Sequence, residues 1–230
     1  MLIVFIYSKE DNSIWQILCK RQTIACNKNA SKQVYQGLKD IEFNPKKVPN
    51  FQRINKILLM KTGWQIVPVN GFIPNNQFFN LISQRKFPCT IWIRTRKQLD
   101  YLQEPDLFHD VFGHCPLLTN KPFCDFMEKV GLLATKHQGS KEIIEKLSRL
   151  WWFTVEFGLI KENDKLKIYG GGILSSYSEV SHSLSNKVKH LNFDVKKIMR
   201  TPYYIDRLQS KLFVIDSFEQ LFNSIKEVQF

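Results

Sequence analysis

The stretch Glu104-Pro-Asp-Leu-Phe-His109-Asp-Val-Phe-Gly-His114-Cys-Pro116 contains the feature that decides how this 230-residue chain folds around its site, namely two histidines five residues apart. On a continuous α-helix, residues five apart differ by ~140° of rotation, so the two imidazoles would not share a face. Gly113 and Pro116 indicate that the helix stops here. His109 can then project from its last turn and His114 from the departing chain, and the pair becomes a candidate metal site.

Glu156, in the stretch Trp151-Trp-Phe-Thr-Val-Glu156-Phe-Gly158, is the third candidate ligand. Its neighbours are apolar, and a carboxylate in such surroundings is costly to bury unless it is paired or binds a metal. Two imidazoles and one carboxylate on one face of a metal leave the opposite face open, which suits non-haem Fe(II) and its oxygen chemistry. A salt bridge from Glu156 to a lysine is the competing interpretation, and spacing alone does not separate iron from zinc. A zinc hydrolase would need a general base, such as a glutamate beside the first histidine, and none is evident.

Length and composition favour a single packed domain over residues 1–230. The chain is 43% hydrophobic and 13% aromatic, which excludes a disordered protein. No run reaches the ~18 to 20 apolar residues of a membrane span. Residues 1–7 are apolar but have no basic leader or cleavage site, so we expect a buried edge segment or an imprecise start and not a signal peptide.

The cysteine count and the charge bound the compartment and the partners. Five cysteines without paired spacing favour a reducing cytoplasm, and Cys115 suits packing better than zinc binding. The net charge of +12 raises the alternative of a basic, non-catalytic binding module. Its 25 lysines are scattered and outnumber 8 arginines, whereas readers of nucleic acid usually favour arginine, so a solvated surface is the simpler interpretation and no nucleic-acid partner is expected.

Periodicity and capping residues predict a mainly α (α+β) fold of packed helices with small peripheral strands. Six helices are predicted to begin near Ser8, Ser31, Pro49-Asn50, Asn75 or Asn76, Ser175-Ser176 and Asp216. A short helix after Pro105 is predicted to contain His109. Two long helices are predicted at Lys121–Lys136 and Lys141–Leu159. The predicted strands are Cys89–Arg94, Leu166–Tyr169 and Phe213–Ile215, with a loop at Pro68–Pro74 and a backbone-permissive turn at Gly170–Gly172.

Three long stretches, Tyr101–Leu117, Trp152–Leu159 and Tyr169–Ser176, together resemble the pterin-dependent aromatic amino acid hydroxylases, in particular their short bacterial members that act on phenylalanine. Weaker similarity extends over nearly the whole chain. The resemblance implies the catalytic-domain fold of that family. It also implies a monooxygenase that uses Fe(II), a tetrahydropterin and O2 to convert L-phenylalanine to L-tyrosine, with activity of the tryptophan 5-hydroxylase type as the alternative. No side chain need act as a nucleophile.

The resemblance further implies a role for individual residues. His109, His114 and Glu156 would hold the iron, and Arg94 would receive the substrate carboxylate, which suits the guanidinium fork. Ser175 would orient an iron-bound imidazole and help to bind the substrate. The aromatic-ring pocket would be shaped by Pro105, Trp152 and Gly172. Without the resemblance, Arg94 would be taken as a surface residue, Trp152 as core and Ser175 as a helix cap.

The segment Pro68–Asn75 with the following Phe78 resembles the pterin-binding loop of the family. The resemblance implies that loop amides contact the pterin, that the phenylalanine stacks on its ring, and that Asp110, where many animal members have glutamate, lies near it. The residues assigned to the pterin on this ground are Gly71, Ile73, Asn75, Phe78 and Asp110. Phe78 taken by itself would be a core residue.

The chain departs from the family pattern at two positions beside the site. Cys115 replaces a more usual valine, and Trp151 replaces a common tyrosine or phenylalanine. Segments similar to the regulatory domain and tetramerisation helix of animal members are not found, so we expect a monomer with small-molecule partners only.

Overall fold

The structure is a computed structural model that describes residues 5–100, 102–228 and 230. Most of the apolar segment at residues 1–7 therefore lies outside the described residues, as does Tyr101. Phe5, the first described residue, packs against Phe51 with ring centroids 5.5 Å apart.

Three helices form the N-terminal part, and each begins at the predicted residue. Helix α1 spans Lys9–Cys26, α2 spans Lys32–Asp40 and α3 spans Phe51–Thr62. The Ser8 side chain accepts a hydrogen bond from the backbone N–H of Asp11 in α1, and the Asn50 side chain accepts from those of Gln52 and Arg53 in α3. These caps confirm the helix starts predicted from sequence.

A two-stranded parallel sheet follows and corrects two predictions. Strand β1 spans Gln65–Val69, α4 spans Asn75–Ser83 and β2 spans Lys86–Thr90. The sequence predicted no strand at β1, because Pro68 masks the alternation there. It also placed β2 too late, at Cys89–Arg94. Of the candidate pterin segment Pro68–Asn75, the first two residues belong to β1 and residues 70–74 form the loop at its carboxyl end.

Two long helices and a four-stranded sheet build the rest of the core. Helix α5 spans Lys121–Lys136, as predicted, and α6 spans Lys141–Trp151. The sheet has the order β4-β3-β6-β5, with β3–β4 antiparallel and the other two pairs parallel. Its strands are Leu159–Glu162 (β3), Lys165–Ile168 (β4), Lys189–Asn192 (β5) and Lys211–Ile215 (β6).

The remaining α-helices are short: Gly171–Leu174 (α7), Tyr177–Ser183 (α8), Val195–Arg200 (α9) and Phe218–Asn223 (α10). Three 3-10 turns lie at Arg96–Gln98, Leu117–Thr119 and Ser224–Glu227. Ser176 caps α8 and Ser217 caps α10, so the predicted starts at Ser175-Ser176 and Asp216 are confirmed to within one or two residues. The mainly α fold with small sheets is therefore the predicted one. None of the described helices has both the length and the apolar character needed to cross a bilayer.

Candidate active site

A widened helical turn brings the two histidines together. Residues His109–His114 form a π-helical turn, in which the N–H of Cys115 donates to the carbonyl of Asp110 at 3.2 Å. Because such a turn holds about one residue more than an α-helical turn, it returns residues five apart to the same side. The predicted helix end between the two histidines is therefore wrong: the chain stays helical through Gly113 and is widened instead.

A second π-helical turn, Trp152–Glu156, carries the carboxylate. It is closed by the N–H of Phe157, which donates to the carbonyl of Trp152 at 2.8 Å. The helix predicted over Lys141–Leu159 is corrected accordingly, because the α-helical part ends at Trp151 and Leu159 already belongs to β3.

Glycines serve close packing around these turns. A Cβ atom at Gly113 would lie 2.6 Å from the carbonyl oxygen of Gly171, and one at Gly171 would lie 2.4 Å from Cε1 of His114. The permissive turn predicted at Gly170–Gly172 is wrong, since Gly171 opens helix α7. Glycine is needed there for space and not for backbone freedom.

The three candidate ligands meet at one point. His109 Nε2 and His114 Nε2 are 3.1 Å apart, and Glu156 Oε2 lies 3.6 and 3.3 Å from them. Ligands at ~2.1 Å from a metal and at right angles to each other would be ~3.0 Å apart, so the spacing fits one ion. In the described part of the chain, these three residues form the one group of this kind that could hold a metal, and Cys115 is not part of it.

The surroundings favour the metal-binding protonation states of Glu156 and His109, whereas Glu156 raises the pKa of His114 in spite of burial. Burial would raise the pKa of Glu156, but the two histidines and the Trp151 Nε1–H, which donates to Oε1 at 3.2 Å, lower it to about 2. Burial, together with repulsion from His114, lowers the pKa of His109 to about 4. His109 Nδ1 is 2.8 Å from Ser175 Oγ, which leaves Nε2 to face the other ligands.

Asp106 links the site to Arg94, and sequence reasoning missed it. Its carboxylate accepts from Arg94 Nε at 2.8 Å and Nη2 at 2.9 Å, and from the backbone N–H of His109 at 3.0 Å. Burial would raise the pKa of Asp106, but the guanidinium and the N–H donors hold it below its ordinary value. The position of Asp106 three residues before His109, like an N-cap, is the signal that could have found it.

A cleft of about 710 Å³ opens over these groups. It is lined by every residue that the sequence assigned to metal, substrate or pterin: Gly71, Ile73, Asn75, Phe78, Arg94, Pro105, His109, Asp110, His114, Trp152, Glu156, Gly172 and Ser175. The cleft therefore brings the whole predicted set together.

One wall of the cleft is a stack of three aromatic rings. Trp152 lies between Phe157, at a centroid distance of 4.8 Å, and Tyr203, at 4.5 Å, both tilted by 22°. Tyr203 was not predicted, because it lies in the irregular segment 201–210, far away in sequence. Trp151, the departure from the family pattern, packs edge-on against Phe78 at 5.0 Å.

The loop after β1 also lines the cleft. Gly71 has a φ of +119°, a conformation that side chains rarely adopt, and a Cβ atom there would lie 3.2 Å from Glu104 Oε2. Asp110 accepts from the backbone N–H of Thr90, at the end of β2, at 2.7 Å. Burial raises the pKa of Asp110 to about 7.

Comparison with known proteins gives concordant results. The sequence profile of the biopterin-dependent aromatic amino acid hydroxylases matches residues 2–229. The chain is 45% identical to phenylalanine-4-hydroxylases of Ralstonia nicotianae, over 96% of this chain and 70% of that protein, and of Chromobacterium violaceum, over 95% and 73%. A crystal structure of the Chromobacterium violaceum enzyme with bound Fe(III) and 7,8-dihydrobiopterin superposes with a TM-score of 0.92 at 44% identity, covering 96% of this chain and 81% of that one.

The profile covers nearly the whole chain, and both relatives exceed the identity at which common ancestry is secure. The fold and the arrangement of the cleft agree with that result. The chain belongs to the biopterin-dependent aromatic amino acid hydroxylase family.

Proposed function

We propose that the protein is an iron- and tetrahydropterin-dependent monooxygenase that converts L-phenylalanine to L-tyrosine with O2. The observation that carries the proposal is the convergence of His109, His114 and Glu156 within one cleft that also holds a buried arginine. The phenylalanine-4-hydroxylase relatives support phenylalanine as the substrate.

The donor set suits Fe(II). The three donor atoms lie within 4.8 Å of one another, and all three residues line the cleft. Two imidazoles and a carboxylate in this facial arrangement are characteristic of non-haem iron oxygenases. When bound, Fe(II) and the tetrahydropterin supply the activation of O2 and the redox chemistry.

The protein's own task is to hold the substrate and the ligands. Asp106 occupies the Nε–Nη2 edge of the Arg94 guanidinium and leaves the Nη1–Nη2 edge for the substrate carboxylate. The wall of Trp152, Pro105 and Gly172 orients the phenyl ring and excludes water from it. Ser175 fixes the ring of His109 through Nδ1.

The pterin is assigned to the loop after β1. Backbone groups of Gly71, Ile73 and Asn75 border the cleft and would contact the flat bicyclic ring, on which Phe78 would stack. Asp110, also at the cleft, would lie near the pterin with its carboxyl group held by the Thr90 N–H.

We further propose that the protein acts as a single catalytic domain, as a monomer and in the cytoplasm. The five cysteines support the cytoplasm, because all are buried free thiols suited to a reducing compartment. Size-exclusion chromatography with light scattering tests the monomer, which requires the mass of one 27.2 kDa chain.

The direct test is to load the protein with Fe(II) without oxygen, add tetrahydropterin and L-phenylalanine, admit O2 and measure tyrosine. We expect tyrosine from the wild-type protein and none from His109→Ala. Pterin oxidation without tyrosine would indicate that the substrate is tryptophan or another aromatic compound. If folded and iron-loaded protein gives neither tyrosine nor oxidised pterin, the proposed enzymatic activity is refuted.

A further inference from the structure

Two buried polar side chains line the cleft without a role in the chemistry described so far. Gln22 on α1 is 3% exposed and Glu179 on α8 is 9% exposed. Helices α1 and α8 pack against each other. Within the described residues, Gln22 Nε2 and Glu179 Oε2 are both buried and have no hydrogen-bond partner. Burying such groups unpaired is costly, so a ligand is the natural candidate to complete them.

A capping role does not explain the Glu179 carboxyl group. The spacing Ser176-Tyr-Ser-Glu179 is that of a capping box, in which the glutamate side chain would accept from the serine N–H. Only half of the box forms, because Ser176 Oγ accepts from the Glu179 N–H at 3.4 Å. The Ser176 N–H donates instead to the carbonyl of Ile173 at 3.1 Å. The carboxyl group therefore takes no part in the cap, although Glu179 lines the cleft.

Nor does a neighbouring cation neutralise it. Arg21, which also lines the cleft, pairs with Asp100 at 2.6 Å and lies over the Tyr177 ring at 5.1 Å. Among the described residues, Glu179 forms no ion pair. Burial raises the pKa of Glu179 to about 7, with no charged side chain contributing to the shift. The carboxyl group has lost water and gained no cation in exchange.

We propose that Glu179 receives the α-ammonium group of the amino acid substrate and selects amino acids over aromatic acids that lack the amino group. This inference rests on the proposed function. The substrate would then be held at three points: its carboxylate at Arg94, its ring at Trp152, and its ammonium at Glu179. A substrate ammonium is the cation that the buried carboxylate lacks.

The test compares L-phenylalanine with 3-phenylpropanoate, which has the same ring and carboxylate but no amino group. Binding is measured by calorimetry on Fe(II)-loaded protein without oxygen or pterin, so that no turnover occurs. Glu179→Gln keeps the shape and removes the charge. We expect it to weaken L-phenylalanine binding by about 10- to 100-fold and to change 3-phenylpropanoate binding by less than about twofold.

The matched control is Glu219→Gln on α10, where the glutamate is exposed and does not line the cleft. It should bind both ligands as the wild-type protein does. Equal losses for both ligands in Glu179→Gln, or no loss for either, would overturn the proposal. If Glu179→Gln does not fold, the wild-type protein decides the question, because equal affinity for the two ligands would exclude an ammonium subsite.

The outcome is separable from that of the proposed function. If the protein binds L-phenylalanine through Glu179 but forms no tyrosine, the result would support the ammonium subsite and contradict the proposed hydroxylase activity. If Glu179→Gln forms tyrosine with kcat and KM both unchanged, the result would support the hydroxylase activity and contradict the ammonium subsite.

Discussion

Glu156 and Glu179 are two glutamates of one cleft that are largely shielded from solvent, yet their surroundings shift their pKa values in opposite directions. Two histidines and an indole N–H outweigh the effect of burial on Glu156 and lower its pKa to about 2. Glu179 has burial alone, which raises its pKa to about 7. Glu156 is therefore charged and ready for a metal at any physiological pH. A cation beside Glu179 would lower its pKa and favour the charged form.

The comparison teaches that burial alone does not define the role of a carboxylate; the partners that replace water do. Asp106 is a third case, because it is fully buried and its partners are the Arg94 guanidinium and two backbone N–H groups. Each of the three carboxylates makes a different demand on its surroundings, and mutations can separate them.

Loss of the charge at Glu156 should have the largest effect. In Glu156→Gln, we expect iron affinity to fall by more than about 100-fold, because removing a ligand exceeds the 10- to 100-fold effect of removing a group that only supports one. Tyrosine formation should fall with it. Iron per protein chain, measured after gel filtration, checks the first expectation. Glu179→Gln is the contrasting variant and should retain its iron. Equal iron contents in the two variants would contradict the assignment of Glu156 as a metal ligand.

Asp106→Asn should come next, because it leaves the Arg94 guanidinium buried beside a neutral group. We expect a loss of about 3 to 5 kcal/mol in the free energy of unfolding, measured by urea denaturation. Asp164→Asn, at a side chain that is 92% exposed, is the control and should stay within about 0.5 kcal/mol of wild type. A loss for Asp106→Asn no larger than that of the control would mean that the pair is not needed for stability.

Ser175→Ala sharpens the comparison at the histidine side of the site. The variant removes the partner of His109 Nδ1, so the ring can turn or change tautomer. We expect iron affinity to fall by about 10- to 100-fold, measured by competition with a chelator without oxygen. Ser181→Ala, at an exposed serine of α8, is the control and should leave the iron affinity unchanged. An unchanged affinity in Ser175→Ala would reduce Ser175 to a packing residue.

The pH dependence of stability tests Glu179 without metal or substrate. Its folded pKa of about 7 exceeds the ordinary value of 4.5, so the folded protein holds a proton that the unfolded chain releases between those values. Stability should therefore fall as the pH rises from about 4.5 to about 7 and then level off, with a total loss of up to about 3 kcal/mol.

Glu179→Gln should lose this component of the pH dependence and be the more stable protein at pH 8. Urea denaturation of both proteins across that pH range, without substrate, provides the measurement. A curve for the variant that parallels the wild-type curve would show that Glu179 is already ionised in the folded state.

The sequence predicted the residues of the site better than the geometry that joins them. His109, His114 and Glu156 could be chosen from residue type and apolar surroundings, and the three family motifs added residues that all reach the cleft. The π-helical turns could not be predicted, because widening by one residue leaves no mark on hydrophobic periodicity.

Other features depend on contacts between distant segments. The pairing of Arg94 with Asp106 and the stacking of Tyr203 on Trp152 require the folded chain. The strand β1 was missed because a proline interrupts its pattern, yet pairing with β2 still forms. Helix starts were predicted well because a capping residue acts on its immediate neighbours.

The two π-helical turns mean that chain length, as well as residue identity, encodes the site. If residues 109–114 formed an ordinary α-helical turn at the same length, the two imidazoles would stand ~140° apart and the metal site would be lost. Deleting one residue between the histidines would leave a spacing of four, which an α-helix places within ~40° on one face. The number of residues between the histidines and the type of helical turn can therefore change only together, and a homologue whose histidines are four residues apart should have an α-helical turn at this place.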